Sequence, residues 1–221
     1  MRQMMHALRP GLTYGAVGNR LVFMDAEANR YFLLPEKAEA AFRNLGQGNE
    51  LPTGLRALFF PTTGRTVADT QTRAPVAVRA VPVGSDAFDW PETATSRYRT
   101  GRALWSRFRT EQRLRLQKLS SMLHGLDRKI DGLADDAWKR DIAMQIVRGY
   151  QEARVWRHAR DRCLSESISL FEQLTAAGCR ARLVFGVSLK PFAAHSWVQW
   201  GETVLNDHRD HARGYAPVFV L

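Results

Sequence analysis

The first 35 residues contain short apolar-rich runs separated by turn residues, a pattern typical of a β-meander. The turns lie at residues 18–19 and 26–29, and Pro35 ends the last run. Apolar residues then recur at helical spacing over residues 35–46, and a second short helix is predicted at about 52–60. The three strands predicted by these runs are residues 12–17, 20–25 and 30–34. Three strands followed by helices predict a small α+β module.

The composition changes after this module. Residues 61–96 are rich in Pro and Gly and predict a linker, with one short strand at 76–83. Helical spacing returns after about Ser96, and its last helix is predicted at 162–177, with Gly178 as its stop. The strands predicted after this helix are residues 181–187, 194–200 and 203–206.

These elements predict the fold class α+β with two domains. The first covers residues 1–84, with its linker from about 61, and the second covers residues 85–221. Three tryptophans at helical spacing in the second domain are predicted to lie in its core: Trp105, Trp138 and Trp156.

Composition places the chain among globular proteins of a reducing compartment. Hydrophobic residues make up 45% of the 221 residues and charged residues 24%, so a core can form without disulfides. Only two cysteines are present, which excludes a disulfide framework. No signal peptide and no run of 18 apolar residues is found, so we expect a soluble cytoplasmic protein without a membrane span.

The net charge of +10 is concentrated in the middle of the chain. Residues 91–162 hold 17 Lys/Arg and 9 Asp/Glu, a net of +8. Such a surface attracts nucleic acids, acidic peptides or membranes. No nucleic-acid motif accompanies it, and no aromatics alternate with the basic residues at a stacking spacing. We therefore predict solvent-facing helices and no nucleic-acid partner, with an acidic peptide or partner enzyme left open.

Three residues of the second domain have the order of a nucleophile, a base and an orienting acid. Cys163 lies at the predicted start of a helix, where free N–H groups favour the thiolate. His195 lies on a predicted strand, and Asp207 ends the next strand of the same hairpin. A Cys–His pair needs a third group to hold the imidazole tautomer, and Asp207 can supply it. A buried cysteine with no chemical role is the alternative reading of Cys163.

The sequence around these residues resembles a known family. The matching residues, spread over 163–207, are Cys163-Leu164 with Ser167 and Leu170, Ala181-Arg182-Leu183-Val184 with Gly186-Val187, Pro191-Phe192, Ala194-His195, Trp197-Val198 and Leu205-Asn206-Asp207. They resemble the B protein of lasso-peptide biosynthesis, a transglutaminase-like leader peptidase. The family's catalytic residues fall on Cys163, His195 and Asp207. Ser196 and Gln199 depart from the alanine and glutamate that are common there, and neither belongs to the triad.

The N-terminal module resembles the leader-recognition element of peptide-modifying systems, a small winged-helix-like domain. Asp25 precedes its second turn, and Pro35 follows its third strand. The resemblance implies that an extended leader peptide adds a strand to the open edge of the sheet. A domain that only supports the protease is the alternative. The leader-binding residues implied by the resemblance are Arg30, Tyr31, Phe32, Leu33 and Leu34.

The resemblance implies a specific function. A papain/transglutaminase-like cysteine protease domain would bind the leader of a ribosomally made lasso precursor peptide and cut the leader–core bond, without a cofactor. A separate ATP-dependent lasso cyclase, similar to asparagine synthetase, would then close the macrolactam. Two alternatives remain: an acyltransferase that uses the same triad, and a non-enzymatic peptide-binding adaptor.

The remaining candidates have no predicted role in the chemistry. Cys179 follows a helix-ending glycine and is predicted to be structural at a strand start. His208 and His211, with Asp207 and Asp210, lack a tight ligand pair on a helix face, so we predict a solvated C-terminal loop and no metal site.

Overall fold

The computed structural model describes residues 8–44, 58–59, 77–79, 81–91, 96–134, 139–155 and 163–221. Its strands are β1 (Leu12–Val17), β2 (Arg20–Asp25), β3 (Arg30–Leu33), β4 (Ser85–Asp86), β5 (Arg182–Leu189), β6 (Phe192–Trp200), β7 (Thr203–Val204) and β8 (Ala216–Val220). Its helices are α1 (Glu36–Arg43), α2 (Arg97–Leu116), α3 (Leu119–Ile130), α4 (Arg140–Val155), α5 (Cys163–Ala176) and α6 (Arg209–Arg213). The predicted mixed α+β class is confirmed. Among the described helices, none has both the length and the apolar composition needed to cross a membrane.

The N-terminal residues form a small antiparallel sheet with the order β1-β2-β3. Gly18 supports the first turn, because its φ of 57° is a left-handed conformation that glycine adopts without strain. One face of the sheet and α1 enclose an aromatic cluster in which the Phe23 and Phe42 rings meet edge to face, with centroids 5.0 Å apart. The predicted strands and first helix are confirmed, and of the predicted helix at 52–60 only residues 58–59 are described, both helical.

The second sheet carries the C-terminal half and has the order β4-β7-β6-β5-β8. Strands β5 and β6 form a hairpin in which Gly186 pairs with His195. Helix α5 packs across this hairpin through side chains with no solvent exposure, which recur at helical spacing. Gly178 follows α5 with a φ of 77°, so the predicted stop is confirmed.

Several elements differ from the predictions. Residues 77–79 and 81–83, the described part of the predicted strand at 76–83, contain no strand, and the chain enters the sheet later, where β4 pairs with β7. The sequence analysis missed β8, whose partner β5 lies about 30 residues earlier in the chain.

The prediction of Trp105 as a core residue is wrong. It is 65% exposed, because α2 turns Ala103, Arg107 and Thr110 toward the protein and residue 105 lies on the opposite side of the helix. Apolar spacing alone does not identify the buried face when a buried arginine belongs to it. Trp138 and Trp156 lie outside the described residues.

The two sheets are in direct contact. β1 packs on β8, where the Thr13 hydroxyl donates a hydrogen bond to the Val218 carbonyl at 2.7 Å. A Cβ on Gly15 would lie 2.1 Å from the Pro217 carbonyl oxygen, which is shorter than any tolerated contact. Glycine is therefore required where the two backbones meet. The N-terminal sheet is joined to the edge of the second sheet by close backbone contacts.

Candidate active site

The structure brings the three predicted site residues together. Cys163 begins α5, His195 lies on β6, and Asp207 follows β7, the neighbouring strand of the sheet. The Nε2 atom of His195 and the Oδ2 atom of Asp207 are 2.6 Å apart. Because Nε2 faces Asp207, Nδ1 is the ring nitrogen that remains for the hydrogen bond between His195 and Cys163. The arrangement is a thiol, an imidazole and a carboxylate in a row.

Mutual contacts favour the charged form of each of the three groups and oppose the effect of burial. Burial raises the pKa of Cys163, but the hydrogen bond and charge of His195, with hydrogen bonds from Ser196, bring it below its ordinary value. Burial lowers the pKa of His195, but its contacts with Asp207 and Cys163 raise it to about 9. Burial raises the pKa of Asp207, but hydrogen bonds from His195 and His211 lower it to about 2. These contacts favour the thiolate–imidazolium pair over the neutral pair.

A buried hydrogen-bond network connects α5 to the strands that carry the base and the acid. The Asn206 amide accepts from the Val198 N–H at 2.7 Å and donates to the Ser167 hydroxyl at 3.0 Å. The Ser167 hydroxyl in turn donates to the Ser196 carbonyl at 2.8 Å. Ser167 lies one turn after Cys163 and Asn206 directly precedes the aspartate, so the network holds the three elements in register. Both residues belong to the resembling stretches, but their role could not be predicted from the sequence.

A buried carboxylate anchors the first turn of α5. Glu166 accepts from Arg154 at 2.8 Å and pairs with Arg107 at 3.3 Å, and the Glu166 and Arg107 side chains are only 6% and 4% exposed. Arg154 also donates to the Asn206 carbonyl. Two arginines compensate the desolvated charge, and one of them reaches the segment that carries the acid.

The segment with His208 and His211 is solvent-exposed as predicted, with side chains 66% and 53% exposed, but the prediction of a loop is wrong. The segment forms α6, and His211 reaches back over one turn so that its Nδ1 lies 2.6 Å from Asp207 Oδ2. The His208 ring stacks on Phe88 with centroids 4.3 Å apart. The spacing of four residues between Asp207 and His211 was the available signal.

The contact between His211 and Asp207 also bears on the prediction that this segment holds no tight pair of metal ligands. Within the described residues, the ligand atoms of His195, Asp207 and His211 lie within 4.8 Å of one another. Two imidazole nitrogens and a carboxylate oxygen are donors that suit a divalent metal such as Zn²⁺. Both nitrogens are at hydrogen-bond distance from the same oxygen, so the three groups also satisfy one another without a metal.

The N-terminal sheet contributes a side chain near the nucleophile. The Tyr31 ring on β3 meets the Phe192 ring at the start of β6, with centroids 6.2 Å apart. Burial, and secondarily the charge of Cys163, raises the pKa of Tyr31 to about 12. Tyr31 is therefore a side chain through which the N-terminal sheet reaches the candidate active site.

The other residues with a predicted leader-binding role differ in accessibility. Arg30 and Leu33 are exposed, while Leu34 is buried in the N-terminal core. Phe32 stacks on Phe23 with centroids 5.2 Å apart, and the Arg30 guanidinium lies 5.6 Å from its ring centre. Of this set, Arg30 and Leu33 are the most accessible to a ligand.

The second cysteine is remote from this chemistry. Cys179 is fully buried, and its sulfur accepts a hydrogen bond from the Lys139 N–H at 3.4 Å. This environment agrees with the structural role predicted for it.

Comparison with known families agrees with the geometry. A family model described as the transglutaminase-like superfamily matches residues 104–220, which is 117 of the 221 residues. The matched range contains Cys163, His195 and Asp207. Neither the curated proteins nor the solved structures contain a match to this chain.

Proposed function

This chain belongs to the transglutaminase-like superfamily, and we propose that Cys163, His195 and Asp207 form the catalytic triad of a cysteine peptidase. The observation that carries the proposal is the 2.6 Å contact between His195 Nε2 and Asp207 Oδ2, with Cys163 on the other side of the imidazole. This geometry leaves Nδ1 free to take the thiol proton. A cysteine that served only as core would need no such partners.

The reaction follows from these positions. His195 Nδ1 takes the proton of Cys163, and the thiolate attacks the carbonyl carbon of the scissile peptide bond. The C–N bond breaks as His195 returns the proton to the departing amine, which leaves a thioester on Cys163. Water, deprotonated by His195, then hydrolyses the thioester to a carboxylic acid and the free thiol. The N–H groups at the start of a helix have no acceptor within the helix, and those at the start of α5 are suited to stabilise the oxyanion.

The proposed substrate is a lasso precursor peptide, cut between leader and core. The resemblance of residues 163–207 to lasso B proteins supports it, and so does the position of the N-terminal sheet. β3 is an outer strand of that sheet, and its Tyr31 contacts Phe192 beside the candidate active site. In this proposal the N-terminal winged-helix-like domain binds the leader along β3, and a partner cyclase uses the freed amino terminus.

Mass spectrometry of precursor peptides tests the peptidase. Peptides translated from short reading frames beside the gene would be incubated with the parent protein and with Cys163→Ala. The proposal expects one cut by the parent protein and none by the variant. A product that carries an added amine instead of water would indicate an acyltransferase. An intact peptide that binds both proteins would refute the peptidase and indicate an adaptor.

Strand addition along β3 has a test of its own. In an added strand, the N–H groups of alternate residues point toward the sheet. Single N-methyl groups placed along a leader peptide should therefore weaken binding at every second position, and calorimetric titration would measure this. Equal effects at consecutive positions would argue against strand addition, and a scrambled leader is the control for sequence-independent binding.

A further inference from the structure

The carboxylate of Asp207 is shared by two histidines. Its Oδ2 atom lies 2.6 Å from His195 Nε2 and 2.6 Å from His211 Nδ1, and the two rings meet with centroids 4.7 Å apart. An ionised carboxylate can only accept hydrogen bonds, so both facing nitrogens carry a proton. Neutral His195 is therefore held as the Nε2–H tautomer, whose Nδ1 lone pair is free for Cys163.

The other contacts of this group leave the carboxylate little freedom. Asp207 Oδ1 accepts from the His208 backbone N–H at 2.8 Å, so the group is held by three donors. On the far side of His211, Nε2 lies 3.4 Å from the Tyr215 hydroxyl, which can donate to it. Tyr215 also packs on His195, with ring centroids 5.1 Å apart.

The charged neighbours of His211 are few. On its own helix, Asp210 and Arg213 pair with each other at 3.3 Å, and Arg213 also bonds the Val83 carbonyl. The remaining titratable groups that face it are Asp207, His195 and Tyr215. Within the described residues, the electrostatic partner of His211 is therefore the candidate triad.

We propose that His211 is a positioning residue of the proposed peptidase, whose Nδ1–H holds the Asp207 carboxylate toward His195 and takes up part of its charge. This role rests on the proposed triad. It has two consequences: the hydrogen bond keeps the imidazole aligned with Cys163, and sharing of Oδ2 limits how tightly His195 holds its proton.

Three substitutions separate this role from a structural one. In His211→Asn, the side-chain amide takes the place of Nδ1 and keeps a donor to Asp207. In His211→Gln, the amide takes the place of Nε2, and in His211→Ala no donor remains. The matched control is His208→Ala, because the His208 ring stacks on Phe88 and only its backbone contacts Asp207.

Inactivation by iodoacetate provides a readout that needs no peptide substrate. The reagent is negatively charged, so it reacts fastest with a thiolate beside an imidazolium, and its rate falls when His195 loses its proton. In His211→Ala and His211→Gln, the Oδ2 atom of Asp207 no longer accepts a hydrogen bond from residue 211, so His195 holds its proton more tightly. The fall of the rate at alkaline pH should therefore move up by about half a pH unit. The maximal rate should fall roughly 10-fold as alignment is lost. His211→Asn and His208→Ala should keep the parent profile.

The outcomes separate this role from the triad itself. If the parent protein gives a bell-shaped profile and His211→Ala gives the same one, the role of His211 is refuted and the triad stands. An Asn variant as impaired as the Ala variant, at equal melting temperature, would also refute it, because donor replacement should rescue. If Cys163 of the parent protein reacts no faster than an ordinary thiol, both proposals fail together.

Discussion

Replacing Asp207 by asparagine isolates the group that most strongly favours the charged form of His195. The carboxylate accepts on both oxygens, from two imidazoles and from the His208 backbone N–H. An amide presents one oxygen and one NH2 group. With the oxygen toward the imidazoles, its NH2 group faces the His208 N–H, and with the NH2 group toward them, His195 is forced into the other tautomer. With the carboxylate gone, Cys163 is the remaining contact that raises the pKa of His195, and burial lowers it.

The magnitude follows from the contacts of the imidazole. His195 has a pKa of about 9 against an ordinary 6.5, and of the contacts that raise it, the hydrogen bond to Asp207 is the largest. In Cys163→Ala the contacts of His195 with the thiol are gone, so the Asp207 carboxylate is the main remaining cause of the raised pKa of His195. We expect the pKa of His195 to differ by about 1–2 pH units between Cys163→Ala and Cys163→Ala/Asp207→Asn, or roughly 1.5–3 kcal/mol.

Nuclear magnetic resonance measures this difference directly. The Cε1–H resonance of His195 is assigned by its loss in His195→Asn and followed through a pH titration of both proteins. The resonance of His124, an exposed residue on α3, is the internal control and should behave alike in both. A difference below about 0.5 pH unit in two folded proteins would refute the reasoning, because a 2.6 Å contact would then contribute little to the charge of the ring.

Three further predictions concern stability. Asn206→Ala leaves a buried N–H without its acceptor and a buried hydroxyl without its donor, which should cost about 2–4 kcal/mol in urea unfolding, and a loss below about 0.5 kcal/mol would contradict the network. Gly15→Ala forces a Cβ to within 2.1 Å of the Pro217 carbonyl oxygen and should cost about 2–4 kcal/mol, so an unchanged melting temperature would contradict the close contact. The pKa of His195 is raised, so its contribution to stability is complete below pH 6.5 and is lost as the pH rises through about 9. The pKa of Asp207 is lowered, so its contribution is present above pH 3.8 and is lost as the pH falls through about 2. Urea unfolding should give a plateau between pH 3.8 and 6.5, and the decline of stability above this plateau should be absent in His195→Ala.

Elements with strong local signals could be predicted from the sequence. The bounds of β1 and β2 follow from two apolar-rich runs and from the turn between them. The end of α5 follows from Gly178, whose left-handed conformation closes the helix. The proximity of the three candidate catalytic residues could be predicted because each lies in a short motif and two of them share a hairpin.

Features that depend on distant contacts could not be predicted. β8 is a strand because β5 pairs with one edge of it and β1 packs against it, and neither partner is adjacent in the chain. The buried face of α2 includes Arg107, which is stabilised there by Glu166, about 60 residues later. A pattern of apolar residues cannot indicate an inward-facing charge whose partner lies on another helix. The packing of His211 on the acid depends on a helix of only five residues, too short for a periodic signal.

The contact between the two sheets bears on how recognition and cleavage would be coupled. β1 lies against β8, β8 pairs with β5, and β5 pairs with β6, the strand that carries His195. On the other side of the N-terminal sheet, Tyr31 of β3 reaches Phe192 at the start of β6. The proposed leader-binding strand is thus joined to the base by backbone contacts at one end and by side-chain packing at the other. In such a unit, strand addition at β3 would deliver the end of the leader to Cys163 at a set distance. Selection of the cut would then come from the anchored leader more than from a deep pocket around the scissile bond.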